Sequence, residues 1–365
     1  PDGAARPAKV LELFGFDGLK RQRVDSATAG DIVVFSGIEK LRISDTLCSP
    51  GNEEALPALS VDEPTVSMTF SVNKSPFAGQ DGKYLTSRQI RERLDQELKH
   101  NVALRVDETD DPDKFRVSGR GELHLSVLVE TMRREGFELA VSRPEVIMHD
   151  VDGVEHEPWE QLTVDFDEAY QGTVMTRLAD RKGELVDMLP DGKGRMRLDY
   201  KIPTRGLIGF RTEYLTATSG TGLIYHVLDE YAPRVPGTIA QRNNGALVSM
   251  TQGKALAYAL FNLQERGRLF IGHGTPVYEG MIIGIHKRQN DLVVNPTKAK
   301  QLTNIRAAGT DENLVLTPPT RYSLEQSLEF LDDDELLEVT PANLRLRKKL
   351  LKESDRKRDS RRKVS

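Results

Sequence analysis

The sequence holds one cysteine, Cys48, in 365 residues, so no internal disulfide and no thiolate metal cluster can be built from it. Such a thiol is expected to act as a small buried apolar side chain in a reducing compartment. Aromatic residues make up 6% of the chain, which leaves little ring surface for stacking on bases or cofactors. No run approaches the ~20 apolar residues that a membrane helix needs, and no basic start followed by an apolar stretch reads as a secretory signal. A soluble, cytoplasmic protein is expected. Nucleotide-binding loops need Gly-x-x-x-x-Gly-Lys-Ser/Thr, and Gln252-Gly-Lys254 fails twice, with Val248 in place of the first glycine and Ala255 in place of the hydroxyl. Asn73-Lys74 matches half of a guanine-reading motif, but Pro76 stands where its aspartate belongs. There is no Gly-x-Ser-x-Gly nucleophile elbow. Among the seven histidines, His226, His273 and His286 come nearest to a cluster, at spacings that match no standard metal site. From the residues alone no catalytic group, metal site or cofactor site is assigned, and the chain is expected not to be an enzyme.

What is present is length, charge asymmetry and a repeated pattern. The length asks for two to four cores at ordinary domain size. Net charge is −5, yet Arg345 to Ser365 carries eleven Lys or Arg against three acids, so the body before it is strongly acidic. A cationic end on an acidic body can touch polyanions locally, or it can be a merely solubilising disordered tail. The chain opens Pro1-Asp2-Gly3 without methionine and soon reads like sheet interior, as expected of a piece of a longer protein.

Val117-Ser-Gly-Arg-Gly-Glu-Leu-His-Leu125 reads as strand, glycine turn and helix, the helix carrying Leu125, Leu128, Val129 and Met132 at i, i+3, i+4 and i+7. Upstream lie an alternating strand from Thr65 to Val72, a glycine-rich, mobile loop from Ser75 to Tyr84, and a helix opened by the Thr86/Gln89 capping box. Two strands, Ala103 to Val106 and Lys114 to Val117, precede the motif, and Phe137 to Val141 closes it. The order β-α-β-β-α-β is the split βαβ, ferredoxin-like arrangement. It recurs from Leu162 to Leu228, with a hairpin at Pro190-Asp-Gly-Lys-Gly194 and a helix near Arg205-Gly206. Before the first module, Val10 to Cys48 reads as barrel-like short strands, and Ser49 to Glu54 as linker. After Pro233 the chain turns β-rich, with a protruding polar loop from Lys287 to Glu312, a helix capped by Ser323 and Gln326, a solvated acidic face at Asp332 to Glu335, and a last strand around Arg345. The fold class is therefore α+β multidomain: a partial β-barrel, two ferredoxin-like domains and a β-rich C-terminal domain.

Phosphate recognition asks for Lys, Arg and polar partners on exposed surface. Two sets qualify as RNA-binding candidates: Arg181, Lys182, Lys193 and Arg195, which the hairpin of the second module could gather at one end, and Lys287, Arg288, Lys298, Lys300, Asn304 and Arg306 in the long loop. Without aromatics, that loop suits folded RNA backbones better than single-stranded bases. The rivals are a metal-dependent hydrolase built on His273 and His286, and a general RNA chaperone acting through the basic tail.

Longer motifs then meet a known family. Ala29-Gly-Asp-Ile-Val-Val34 with Asp45-Thr-Leu47 resembles the barrel domain of translational GTPases, and Val117 to Pro144 resembles the third domain of elongation factor G relatives. Ala55 to Val66, Pro203-Thr-Arg-Gly-Leu-Ile-Gly-Phe210, Gly272-His-Gly274, Tyr278-Glu-Gly280 and Leu302 to Glu312 together resemble the TypA/BipA family, over essentially the whole chain. The resemblance implies a barrel end at 1–57, an elongation factor G domain III-like module at 63–148, a domain V-like module at 155–232, and a family-specific domain at 233–365 bearing the RNA-contacting loop 287–312. It implies a ribosome-associated parent GTPase in stress-responsive translation and large-subunit assembly, with GTP and Mg2+ held by an N-terminal domain absent from this sequence. Implied partners are large-subunit ribosomal RNA and the acceptor end of A-site transfer RNA, met by a monomer. Lys298, Lys300, Gln301, Asn304 and Arg306 inherit the loop contacts, and Lys193 a basic position linked to ribosome binding.

Overall fold

The computed structural model describes residues 6–38, 41, 43–57, 63–237, 239, 242, 244–299 and 314–364, with backbone only at 363 and 364. The chain is α+β and forms two compact units, Pro1–Asp62 with Asp95–Ala103, and Glu63–Leu94 with Leu104–Ser365. In the first unit, strand Glu12–Asp17 pairs antiparallel with Lys20–Arg23 on one side and Val34–Ser36 on the other. These strands make an open sheet, and among the described residues no barrel closes. Cys48 is exposed there, contrary to the expectation of a buried thiol. It lies outside any strand and donates to the Glu54 carbonyl at 3.3 Å, so no core forms around it.

In the second unit the order β-α-β-β-α-β appears twice. The first module runs through Val66–Val72, helix Ser87–Glu97, Arg105–Glu108, Lys114–Gly119, helix Glu122–Glu135 and Leu139–Val141. Its strands lie in the spatial order fourth, first, third, second, all antiparallel. Alternation explains the register: Val66, Met68 and Phe70 face the helices and are at most 1% exposed, beside Ile90, Leu94, Leu125 and Val129. The Thr86/Gln89 box forms as read, with Gln89 Oε1 accepting from Thr86 N at 3.1 Å and Thr86 Oγ1 accepting from Gln89 N at 3.3 Å.

The second module uses strand Val154–Asp167, helix Gln171–Asp180, Glu184–Pro190, Arg195–Pro203, helix Phe210–Ala217 and Leu223–Pro233, and its strands stand in the same order. Leu162, Val164, Phe166, Leu198, Tyr200 and Ile202 pack against Val174, Leu178, Phe210 and Tyr214.

The remaining chain builds a four-stranded sheet in which Ala246–Ser249 lies between Ile282–His286 and Leu292–Val294, pairing antiparallel with the former and parallel with the latter. The hairpin Glu335–Val339 and Leu344–Lys348 leaves that sheet and adds two strands to the first module, beside Leu139–Val141. Two expectations change here. The stretch from Lys287 is not one loop, because the apolar run Leu292–Val294 finds a parallel partner in Leu247, Val248 and Ser249. The loop from Ser75 is not free either: buried Glu138 accepts from the backbone of Gly79 at 3.0 Å and Gly82 at 3.1 Å, and Phe77 enters the C-terminal core, edge-on to Tyr278 at 5.0 Å.

Candidate nucleic-acid interface

The hairpin tip of the second module is held by an Asx turn, in which Asp191 Oδ1 accepts from Lys193 N at 2.7 Å and Arg195 N at 2.8 Å. That turn binds an exposed basic side chain, Lys193, to a stiff backbone; the ammonium has no partner among the described residues. Asp191 is held below the ordinary carboxylate range by those amide donors, so it stays ionised and the turn stays closed across neutral pH. Arg195 instead reaches back to Asp165, its Nε donating at 2.7 Å.

Arg181 and Lys182 do not join this tip. They precede strand Glu184–Pro190, whose seven residues separate them from the hairpin by roughly 20 Å. Arg181 is also a framework residue: its Nη1 donates to the carbonyls of Gly206 at 2.7 Å and Ile208 at 2.9 Å, and its Nη2 donates to Glu213 at 2.7 Å. The expected four-residue cluster therefore divides in two. Lys182 remains exposed, with φ of 63°, and has no side-chain partner among the described residues.

The second set also divides. Lys287 and Arg288 occupy the turn after Ile282–His286, where Arg288 O accepts from Gly245 N at 2.8 Å. Lys298 follows the far end of strand Leu292–Val294, on a stem anchored by Met250 N to Val294 O and Leu256 N to Pro296 O, both 2.9 Å. An Asx turn at Asn295 accepts from Thr297 N at 2.9 Å just before it. Lys300, Gln301, Asn304 and Arg306 lie outside the described residues.

The histidines have structural partners. His273 Nδ1 accepts from Ala257 N at 3.1 Å at the start of helix Ala257–Gln264, His286 Nδ1 lies 2.6 Å from Asn290 O, and His226 pairs with Glu160. No group of three or more metal-ligating side chains occurs among the described residues. Gly253 and Lys254 pair with Val277 and Pro276 as strand, so Gln252-Gly-Lys254 offers no phosphate cradle. Asn73 is likewise structural, donating to Glu138 at 2.8 Å.

The basic end is ordered rather than a tail. Arg345 pairs with Asp81 at 3.0 Å and Glu338 at 2.7 Å, Arg347 is buried, and Lys348 meets Asp291, Asp334 and Glu335. Glu335, read as part of a solvated acidic face, is fully buried because Arg242 and Lys348 both need its charge. Among the described residues of helix Glu353–Val364, the cations Lys357, Arg358, Arg361 and Arg362 are exposed.

Two α+β modules share one strand order and the second is followed by a β-rich domain, and the family described as elongation factor G C-terminus matches residues 154–243. The TypA/BipA C-terminal domain matches residues 244–353, and the chain belongs to the TypA/BipA family. It is 62% identical over 360 residues to the large ribosomal subunit assembly factor BipA of Escherichia coli K12, covering 99% of this chain and 59% of that protein. The Haemophilus influenzae protein of that name is 61% identical, with 99% and 58% covered, and the Buchnera aphidicola one 55%, with 100% and 60% covered. The chain thus spans about three-fifths of the length of the curated relatives it matches.

This finding corrects the expectation that the chain is not an enzyme. With 62% identity to BipA across 99% of the chain, over residues that cover 59% of that protein's length, a missing phosphate loop and an absent GTPase domain no longer support that expectation.

Proposed function

We propose that the protein is a GTP-hydrolysing assembly factor of the large ribosomal subunit, and that this chain supplies its ribosome-docking surface. What supports the reading is the pairing of family membership with exposed, unneutralised cations, Lys182, Lys193, Lys287, Arg288 and Lys298, of which Lys193 and Lys298 stand on hydrogen-bonded stems. Rigid stems lower the ordering cost of each phosphate contact. In this reading the modules 1–57, 63–148, 155–232 and 233–365 act as shaped units. Lys298, Lys300, Gln301, Asn304 and Arg306 approach the acceptor end of A-site transfer RNA, while Lys193 and Arg195 meet ribosomal RNA. GTP and Mg2+ serve the hydrolytic step, and Gly253 and Lys254 of this chain, being strand, do not hold them. The protein acts as a cytoplasmic monomer on ribosomes in stress-responsive translation.

The test is co-sedimentation with large ribosomal subunits. Replacing Lys298, Lys300 and Arg306 with alanine is expected to weaken binding and to flatten its salt dependence by about one unit of log–log slope per lost phosphate contact, with an unchanged melting temperature. Equal sedimentation of the variant and the parent would remove the loop from the interface.

A further inference from the structure

A cleft of about 1140 Å3 opens where the helices of the second module face the four-stranded sheet. Arg177 and Arg181 line one wall and Arg268 and Lys287 the other, with Arg242 and Glu329 also lining it. Three of these five cations are already matched. Arg177 and Arg181 share Glu213, and Arg242 donates to both oxygens of Glu335, at 3.0 and 2.9 Å, while lying 4.1 Å from the Phe330 ring centre.

Arg268 and Lys287 differ. Both are exposed, and neither has a side-chain partner among the described residues. Arg268 stands opposite Ile285 in the pairing of Gly267–Leu269 with Ile282–His286, and Lys287 follows Ile285 by two residues, so both fall on one face as diagonal neighbours, about 7–8 Å apart. The two strands approach so closely that a Cβ at Gly267 would lie 1.7 Å from Ile285 O, which fixes the spacing of the pair. On the acidic side, exposed Asp180 also lines the cleft, Glu213 is neutralised by two guanidiniums, and burial pushes the Glu329 carboxyl up to about 7, so it carries less than a full charge at neutral pH and the cations still outnumber the acids. Phe330 is covered by Arg242 and gives no free ring for a base. The remaining field favours phosphate over nucleobase, and the volume exceeds what a single phosphate needs.

We propose that this cleft binds adjacent phosphate groups, with Arg268 and Lys287 as the primary contacts. The phosphates can come from an RNA backbone or from a soluble oligophosphate. The RNA source rests on the docking reading above; the soluble source does not.

Calorimetric titration of the full chain with sodium tripolyphosphate, and separately with a short RNA hairpin, tests the site. At least one probe is expected to bind, and Arg268→Ala with Lys287→Ala to weaken that binding by about ten-fold or more. Lys298→Ala, on the loop stem, is expected to leave tripolyphosphate affinity unchanged. Response to tripolyphosphate assigns a soluble ligand, and response to the hairpin alone assigns an RNA backbone. Failure of both probes to bind, or equal binding by the double variant, overturns the proposal. A double variant that loses binding while the loop variant still sediments with ribosomes sinks the loop reading and leaves this one standing. Both side chains are exposed, so an unchanged thermal melt confirms that the fold is intact.

Discussion

The two ferredoxin-like modules share one strand order and differ in what becomes of the fourth strand. In the first module Leu139, Ala140 and Val141 are all fully buried, because the hairpin 335–348 continues the sheet beyond them. In the second module the equivalent strand is, among the described residues, the open edge, and it exposes Leu223 by 64%, Tyr225 by 58% and Val227 by 53%. The same topology thus yields a sealed scaffold in one place and a free surface in the other. An unsealed edge carries backbone groups and apolar side chains that most proteins cover. The exposed cation Lys193 also belongs to the open module, whereas Arg345, Arg347 and Lys348 serve the closed one.

The sharpest way to break this contrast is to remove a cation from each side. Lys348 is 3% exposed and its Nζ lies 2.6 Å from Asp291, 2.9 Å from Asp334 and 2.9 Å from Glu335. Lys348→Ala removes the ammonium shared by Asp291 and Asp334 and leaves buried Glu335 to Arg242 alone, and is expected to cost about 3–5 kcal/mol in denaturant unfolding. Lys201, on the open sheet, is 31% exposed beside Asp229 and Glu230, and its loss is expected to cost less than about 1 kcal/mol. Comparable losses would mean that the second sheet is not open in solution.

Apolar truncation sharpens the same point at smaller amplitude. Leu337, fully buried in the sealing hairpin, is expected to lose about 2–4 kcal/mol on replacement by alanine, through lost transfer energy and the cavity left behind. Val227→Ala on the open edge is expected to stay within about 0.5 kcal/mol of the parent. Chemical denaturation of the two variants side by side decides it, and a Val227 cost that matches Leu337 would place an unseen partner on that edge.

Local chemistry was legible in the sequence. Both ferredoxin-like modules follow from alternation, from helical spacing and from turn residues, since those signals act within a few residues. The capping box at Ser323 and Gln326 forms as read. What escaped depends on distance in sequence. Nothing local marks Glu335–Val339 as a strand of the first module, because its pairing with Leu139–Val141 crosses roughly two hundred residues. A basic run looks the same whether it meets water or, as with Lys348, is buried against three acids. Strand Glu184–Pro190, seven residues long, divides Arg181 and Lys182 from Lys193, and no local motif marks that separation. The cleft residue Arg268 gave no motif at all; only the register against Ile285 brings it beside Lys287.

The smallest expected effect concerns the joint between the modules. Gly209, at φ of 73°, donates its N–H to Glu122 at 3.1 Å, and Thr212 Oγ1 donates to Glu329 at 2.7 Å, so the second module's Gly-Phe turn meets carboxylates from two other elements. Burial, chiefly, lifts the Glu329 carboxyl to about 7, with Glu122 and Glu325 adding repulsion and Arg181 opposing it. A folded-state value above the ordinary carboxyl value means that the folded protein holds a proton the unfolded chain has already released. The resulting stability is therefore complete at acidic pH below about 4.5 and is lost as pH rises through about 7. Glu329→Gln keeps the shape and the hydrogen bond while removing the charge, so its thermal melt is expected to fall less than the parent's between pH 5 and pH 8, by a few degrees at most for a partly solvated group. Parallel melting curves across that range would show that the carboxyl titrates normally and that the joint is indifferent to its charge. A larger drop in the variant than in the parent would instead mean that ionised Glu329 is held by Arg181 as a stabilising pair, reversing the order of the two causes.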